Sequence, residues 1–368
     1  MLTAQNSVGN PFEKVCRPIL FVEADLLRLY PSFFRSTLVG LISSTGRPAL
    51  AGPFQSDFYK VLCPTIEVFE YPRFWQIWKH GRGMRCFWEA LQQYRPTVLH
   101  GVWPAHARLL NFLSHQIGVP YVLSFFEFPT GIRRLIYPFE GAAALLAASE
   151  PIAESLRHSG SKGDCQIYTV RPGCYVEDTC ACFAEPNRLP SLVSVHPLNK
   201  AEEVEPFLQA LRHLRLDGFE FFAAILGSGR AEHTVRRRIQ MLGLSSIMSV
   251  VPIEESIHDV LCGADIFVYL RTQKRYDPLL LEVMGAGLAV AGAADPIGQL
   301  LQDGRTAVLF DPDDELSIYA ALKKLLSRPE WARQLALAAQ DYVRRNHPVS
   351  GMIEHLVKIY LSVQNLNP

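Results

Sequence analysis

Neither sign of charge is in excess: 36 Lys and Arg stand against 36 Asp and Glu in 368 residues. A chain that grips nucleic acid through its phosphates carries a basic surplus, so no nucleic-acid partner is expected. Long apolar runs are also missing. The longest, Leu279 to Ala294, is interrupted by Glu282, rich in glycine and too short to span a bilayer. The opening residues, MLTAQNSVGNPFEK, lack a basic segment followed by an apolar one, so no signal peptide is expected. The eight cysteines are scattered without a Cys-x-x-Cys pair, and Cys180-x-Cys182 has no second pair at zinc spacing. Buried, reduced thiols in a cytoplasmic protein are the expectation, with no metal. No Gly-x-Ser-x-Gly elbow, His-Glu-x-x-His or Walker loop occurs.

What is present suits packed cores: 49% of residues are hydrophobic and 20% charged. At roughly 100–200 residues per domain, two domains are expected. Short apolar runs alternate with longer amphipathic segments, the pattern of strand–helix units feeding a parallel sheet. Strands are expected at Pro18–Val22, Thr97–His100 and Pro120–Phe125, with helices at Leu27–Ser43, Phe74–Tyr94 and Ala105–Ile117 among them. Residues 177–190 carry turn formers and two prolines and read as a linker, after which the alternation restarts at Leu192. The expected class is α/β: two doubly wound, Rossmann-like domains, 1–183 and 191–347, facing a central crevice.

Two segments carry chemistry. ILGSGR, Ile225 to Arg230, closes an apolar strand and opens a helix. Gly227, Ser228 and Gly229 could bring backbone N–H groups to an anion, with Arg230 as counter-charge; a tight strand–helix turn is the alternative. The second segment, DPLLLEVMGAGLAV from Asp277, places one carboxylate, Glu282, in an apolar helix. Burying it requires a partner: two ribose hydroxyls, or an ion pair with Arg271, Lys274 or Arg275.

In order, five motifs of the second half resemble those of retaining glycosyltransferases with the GT-B fold, family 4 (glycosyl transferases group 1). They are AILGSGR from Ala224, MLGLSSIMSVVPI from Met241, LCGADIFVYL from Leu261, LEVMGAGLAVA from Leu281 and LLQDGRTAVLF from Leu300. The first half matches less tightly, through RPTVLHG from Arg95, IGVPYVLSF from Ile117, AASE from Ala147 and VRPGC from Val170. The resemblance implies a C-terminal domain, 191–347, that holds a nucleotide sugar. It also implies a last helix, within 348–368, that packs back on the N-terminal, acceptor-side domain.

By the same resemblance Glu282 takes the ribose, while Lys200, Arg230 and the Gly227–Gly229 backbone take the diphosphate. Ile253, Arg275, Leu279 and Leu280 complete the donor contacts. The family's first Glu of a Glu-x7-Glu pair falls on Lys274, a change from acceptor to donor near the transferred sugar. Its Gly-Arg pair falls on Ser194-Val195, its His near the reacting sugar on Phe126, and a further Glu on Gln299. Lys274, Glu127 and His100 are therefore the catalytic candidates. His100 and His106, at a strand end, read equally well as core or capping residues, and Glu127 as a loop carboxylate.

The implied activity is a hexosyltransferase-type transfer, retaining and metal-independent, in polysaccharide biosynthesis. A nucleoside-diphosphate sugar is donor substrate, a saccharide or lipid-linked molecule the acceptor, and no cofactor is expected. The basic and aromatic stretch from Arg73 to Trp88 suits either peripheral contact with the inner face of a membrane or an inward-packed amphipathic helix. The departures leave open a non-catalytic homologue acting as binding or partner subunit, beside another glycosyltransferase, and, third, an epimerase or phosphorylase of the same fold.

Overall fold

The computed structural model describes residues 16–54, 64–72, 82–128, 139, 141–158, 165–185, 187–252, 257–270 and 275–365. The chain forms two compact units, one of residues 1–171 and 349–368, the other of residues 172–348.

The first unit holds a sheet of β1 (Pro18–Phe21), β2 (Ala49–Gly52), β3 (Glu67–Glu70), β4 (Val98–Gly101), β5 (Tyr121–Phe125), β6 (Ala144–Ala147) and β7 (Gln166–Thr169). All pairings are parallel, in the order β3-β2-β1-β4-β5-β6-β7. The central strands are buried along their whole length, as a sheet covered on both faces requires. Helices α1 (Ala24–Leu29), α2 (Pro31–Thr45), α3 (Arg82–Tyr94), α4 (Ala107–Ile117) and α5 (Glu150–His158) belong to this unit.

Here the sequence reading departs from the structure in two places. One helix was expected across Pro31, but a proline inside a helix removes a hydrogen bond and clashes with the preceding turn. The chain breaks at Tyr30 instead, and Pro31 opens α2, where its missing N–H is harmless. Strands β2 and β3 were not foreseen; the four residues of β2, ALAG, carry no alternation or β-branched signal. Of the basic and aromatic stretch, residues 73–81 lie outside the described residues. In α3, Met84, Phe87 and Leu91 are buried.

The second unit repeats the plan with β8 (Ser191–Val195), α6 (Glu205–Leu216), β9 (Phe222–Leu226), α7 (Glu232–Met241), β10 (Met248–Val251), α8 (Ile257–Cys262), β11 (Ile266–Tyr269), α9 (Pro278–Gly285), β12 (Ala289–Gly292), β13 (Val308–Leu309), α10 (Glu315–Leu326) and α11 (Pro329–Asn346). Its parallel order is β10-β9-β8-β11-β12-β13. Strand order reverses between β8 and β11, the point at which such sheets bind ligands beyond the strands' carboxyl ends.

The stretch read as a linker is hydrogen-bonded into this unit. Glu177, Ala181 and Cys182 donate their N–H groups to the carbonyls of Gly285, Ala286 and Gly287. A Cβ on Gly287, at φ 76°, would lie 2.8 Å from Cys180 Cα, so this glycine serves the close approach of residues 180–182. Cys180 and Cys182 are buried free thiols of the core.

Asp265, 2% exposed, fastens the next residues of the same stretch. One of its oxygens accepts from Phe183 N (2.7 Å) and Arg188 (3.0 Å), the other from Ser191 N (2.8 Å) and Ser191 Oγ (3.0 Å). Asp265→Ala leaves buried donors without acceptors, at an expected cost of about 3 kcal/mol. Asp265→Asn is expected to cost a large part of this, because an amide offers one acceptor oxygen for two. Urea unfolding of the second unit checks both.

The last helix, α12 (Val349–Gln364), belongs to the first unit. It buries Met352, Ile353, Leu356, Val357 and Tyr360 and lies along α2. A Cβ on Gly40 of α2 would lie 2.5 Å from Ile353 Cγ1, so glycine permits this helix contact.

Candidate functional site

Most donor-side candidates fall at the carboxyl edge of the second sheet, on the segments leaving β8, β9 and β11. Strand β9 ends at Leu226, and Gly227 then donates its N–H to the Val251 carbonyl. A Cβ on Gly227 would lie 1.8 Å from the His196 carbonyl oxygen, and one on Gly229 2.2 Å from that of Pro197. Both glycines are thus demanded by the backbone leaving β8. That is the tight-turn reading, and it leaves the phosphate reading intact. Among the described residues, the N–H groups of Ser228, Gly229 and Arg230 meet no protein acceptor. These three residues are exposed just before α7, whose N-cap, Ala231, offers no capping side chain. A helix start with open N–H groups and Arg230 beside them attracts an anion.

After β8, Lys200 is exposed at the start of the one-turn helix Ala201–Glu203. Ser194 and His196 are buried. Leu198 N donates to His196 Nδ1 at 3.1 Å, which leaves the neutral ring's proton on Nε2, 3.6 Å from Glu203. The sequence reading missed His196; its position directly after a strand of largely apolar residues was the available signal.

At the start of α9, Asp277 is the N-cap, 1% exposed. Its Oδ1 accepts from Leu279 N at 3.2 Å, Tyr269 Oη donates to its Oδ2 at 3.3 Å, and Leu280 N donates to its carbonyl. Leu279 and Leu280 are themselves buried, and their N–H groups are already engaged by Asp277. A phosphate would reach Leu279 N only by displacing the Asp277 carboxylate. Arg275 lies half-buried just before this cap, whereas Lys274 and Ile253 lie outside the described residues.

Glu282 is 13% exposed, and its Oε1 lies 3.4 Å from His258 Nδ1. This partner was not among the cations weighed from the sequence. Glu282 is the largest cause raising the His258 pKa above its ordinary value. The imidazole fixes one carboxylate oxygen, and a carboxylate has further lone pairs for other donors.

In the first unit, His100 is withdrawn from solvent. Its Nδ1 lies 2.6 Å from Tyr360 Oη of α12 and its Nε2 2.8 Å from Ser124 Oγ. Both ring nitrogens are engaged, which is the core-histidine arrangement. Burial, with a smaller contribution from His106, pulls its pKa down to about 3. The unfolded chain titrates near 6.5, so between these values only the unfolded state takes the proton. Stability from this source is whole above the unfolded pKa and falls as pH drops. The expected loss is about 1.4 kcal/mol from pH 7.5 to 5.5. His100→Gln should flatten that part of the profile in urea unfolding at the two pH values.

His106 is buried, and burial lowers its pKa to about 4 against the smaller raising effect of a hydrogen bond with the Trp103 backbone; Glu23 Oε1 lies 3.5 Å from its Nε2. Phe126, at the position where the family carries histidine, stacks on Trp103 at 5.3 Å and 6°. Glu127, next in the chain, is half-buried.

Residues 190–328 match the family model described as "Glycosyl transferases group 1". Comparison with curated proteins by sequence finds no match. Among solved structures, a glycosyltransferase from Rickettsia africae is similar at TM-score 0.75 and 13% identity, over 95% of this chain and 99% of that one. A sucrose-phosphate synthase from Thermosynechococcus elongatus gives 0.75 and 13%, over 95% and 100%. Anabaena HepE in complex with UDP-glucose gives 0.75 and 12%, over 94% and 99%. The two parallel sheets are those of the GT-B fold, and residues 190–328 carry the signature of the group 1 glycosyltransferases, the family that the sequence motifs resemble.

Proposed function

We propose that this chain transfers a sugar from a nucleoside-diphosphate sugar to a saccharide or lipid-linked acceptor, with retention and without a metal in the chemical step. One observation carries the reading. Within the family-matched segment, a single sheet edge holds three open backbone N–H groups at Ser228–Arg230 and, on the segment after β11, a carboxylate held by an imidazole at Glu282. A departing diphosphate is stabilised by donors and cations placed where its charge develops. The Ser228–Arg230 N–H groups, the Arg230 guanidinium and Lys200 fill that role, with Arg275 and Lys274 on the segment after β11. Glu282, whose Oε1 stands 3.4 Å from His258 Nδ1, is the carboxylate that accepts the ribose hydroxyls.

On the acceptor side Glu127 is the acid–base candidate, at the carboxyl end of β5. His100 stays out of the chemistry, because a neutral ring with both nitrogens engaged in the core has nothing to offer a substrate. No helix among the described residues is long and apolar enough to cross a membrane. For a lipid-linked acceptor the proposed contact with a membrane surface is the basic and aromatic stretch from Arg73 to Trp88, apart from the buried Met84 and Phe87.

The test is a thermal-shift panel of uridine, guanosine and adenosine diphosphates and their sugar conjugates, followed by release of the free nucleotide with candidate acceptors. A shift for one base supports the donor site. A flat panel from folded protein favours the second reading, a partner subunit with a vacated site. Two features speak for that reading: Asp277 occupies the N–H of Leu279 where a phosphate would sit, and Lys274 replaces the family's Glu.

A further inference from the structure

His258 and Cys262 stand four residues apart on α8, so their side chains leave the same helix face. Cys262 Sγ lies 3.5 Å from His258 Nε2, and Glu177 Oε1 lies 3.4 Å from the same nitrogen. One ligand atom from each of the three residues fits within 4.8 Å of the other two. On the far side of the ring, Glu282 Oε1 is 3.4 Å from Nδ1. Glu177 is anchored through its backbone: its N–H donates to Gly285, and its carbonyl accepts from Gln340 and Arg344.

We propose that Glu177, His258 and Cys262 form a binding site for a borderline divalent metal ion of the zinc class. Nothing in the sugar-transfer reading requires this site, and the sequence reading expected no metal.

Three observations support it. The donor set of one thiolate sulfur, one imidazole nitrogen and one carboxylate oxygen suits zinc and disfavours magnesium or calcium, which take oxygen. The spacing also fits. A tetrahedral zinc with bonds of about 2.3 Å to sulfur and about 2.0 Å to nitrogen and oxygen sets its ligands roughly 3.3–3.6 Å apart. The two separations at Nε2 fall in that interval, and the one to Glu177 exceeds the length of a good hydrogen bond to oxygen. Finally, a metal-bound histidine characteristically gives its other ring N–H to a carboxylate, which fixes the tautomer and strengthens the ligand. Glu282 stands where that carboxylate is needed, directing the Nε2 lone pair at the ion. Cys262 is exposed, which gives the ion a way in, and water takes the fourth position.

Binding releases the thiol proton to solvent and forms the metal–sulfur bond, with no oxidation or reduction. Cobalt(II) is the probe, because a thiolate-to-cobalt charge-transfer band reports the sulfur ligand and the visible bands report tetrahedral geometry. The full chain, purified with chelator and then freed of it, is expected to bind one equivalent with both signatures, and zinc should displace it. Cys262→Ser should abolish the charge-transfer band. Glu282→Gln should keep the band and weaken affinity about 10- to 100-fold, since it touches the ion only through His258. Near-ultraviolet circular dichroism verifies that each variant is folded; Cys262 is at the surface, so its replacement leaves the core untouched. Absence of the band in the wild type, or its survival in Cys262→Ser, overturns the proposal. Nucleotide affinity measured in chelator is a separate readout, so failure of the metal site and failure of the donor site are distinguishable.

Discussion

Glu282→Ala is expected to weaken binding of the donor nucleotide by about 30- to 100-fold. A charged carboxylate that accepts two ribose hydroxyls contributes about 2–3 kcal/mol in all, and each 1.4 kcal/mol is a factor of ten in affinity. At a nucleotide concentration about 100 times the dissociation constant, the wild type gains about 2.7 kcal/mol from the ligand; the variant keeps roughly 0.4–0.9 kcal/mol. For a unit of this size that turns a thermal shift of roughly 5–10 °C into one of about 1–3 °C. The loss should reside in binding, because the substitution itself disturbs little. Its partner His258 is 43% exposed, and water takes the place of the carboxylate at Nδ1. Removing the imidazole takes away one contact but leaves the carboxylate in place, so His258→Ala should weaken nucleotide binding less than Glu282→Ala. An undiminished shift in Glu282→Ala would mean that the ribose is held elsewhere.

Gly227→Ala should cost the second unit at least about 3 kcal/mol. The new methyl would overlap the His196 carbonyl oxygen, a backbone atom at the end of the central strand β8, and neither segment can move without breaking sheet hydrogen bonds. At φ 153° the residue also lies where a side chain is disfavoured. Gly218→Ala is the control. It too has positive φ, 85°, but open space around the new Cβ, so only the backbone preference is charged, about 1 kcal/mol. Chemical denaturation of both variants separates the two contributions. Equal losses would show that the turn does not press on residues 196–198. The same experiment bears on function, since a shifted turn moves the N–H groups of Ser228–Arg230 away from the anion they are proposed to hold.

Periodicity and punctuation were enough to place the second unit's elements. The strand–helix alternation expected to restart at Leu192 does so in β8, Ser191–Val195, and runs on through the unit. In these segments local preference and burial agree, so the residue pattern alone fixes the element. The first unit was less legible where a pattern is too short to show a period, as in β2, or where proline overrides it, as at Pro31. The Gly-x-Gly turn was legible as a turn. Its demand for glycine comes from the backbone of residues 196–198, which no local pattern announces.

Side-chain partnership belonged to the tertiary structure. Glu282 was recognisable as a carboxylate in need of a partner, because an acid in an apolar helix is costly to bury alone. That the partner is His258, and that His258 also faces Glu177 and Cys262, follows from the packing of α8 and α9 in one unit. In the same way His100, at a strand end, read equally well as an acceptor contact or as a core residue, and the tertiary structure sets Tyr360 of α12 2.6 Å from its Nδ1. Composition and spacing register what each segment prefers by itself. The environment of a titratable side chain is set by residues remote in sequence, and it decides whether a histidine's pKa is pulled down by burial, as at His100, or raised beside a carboxylate, as at His258.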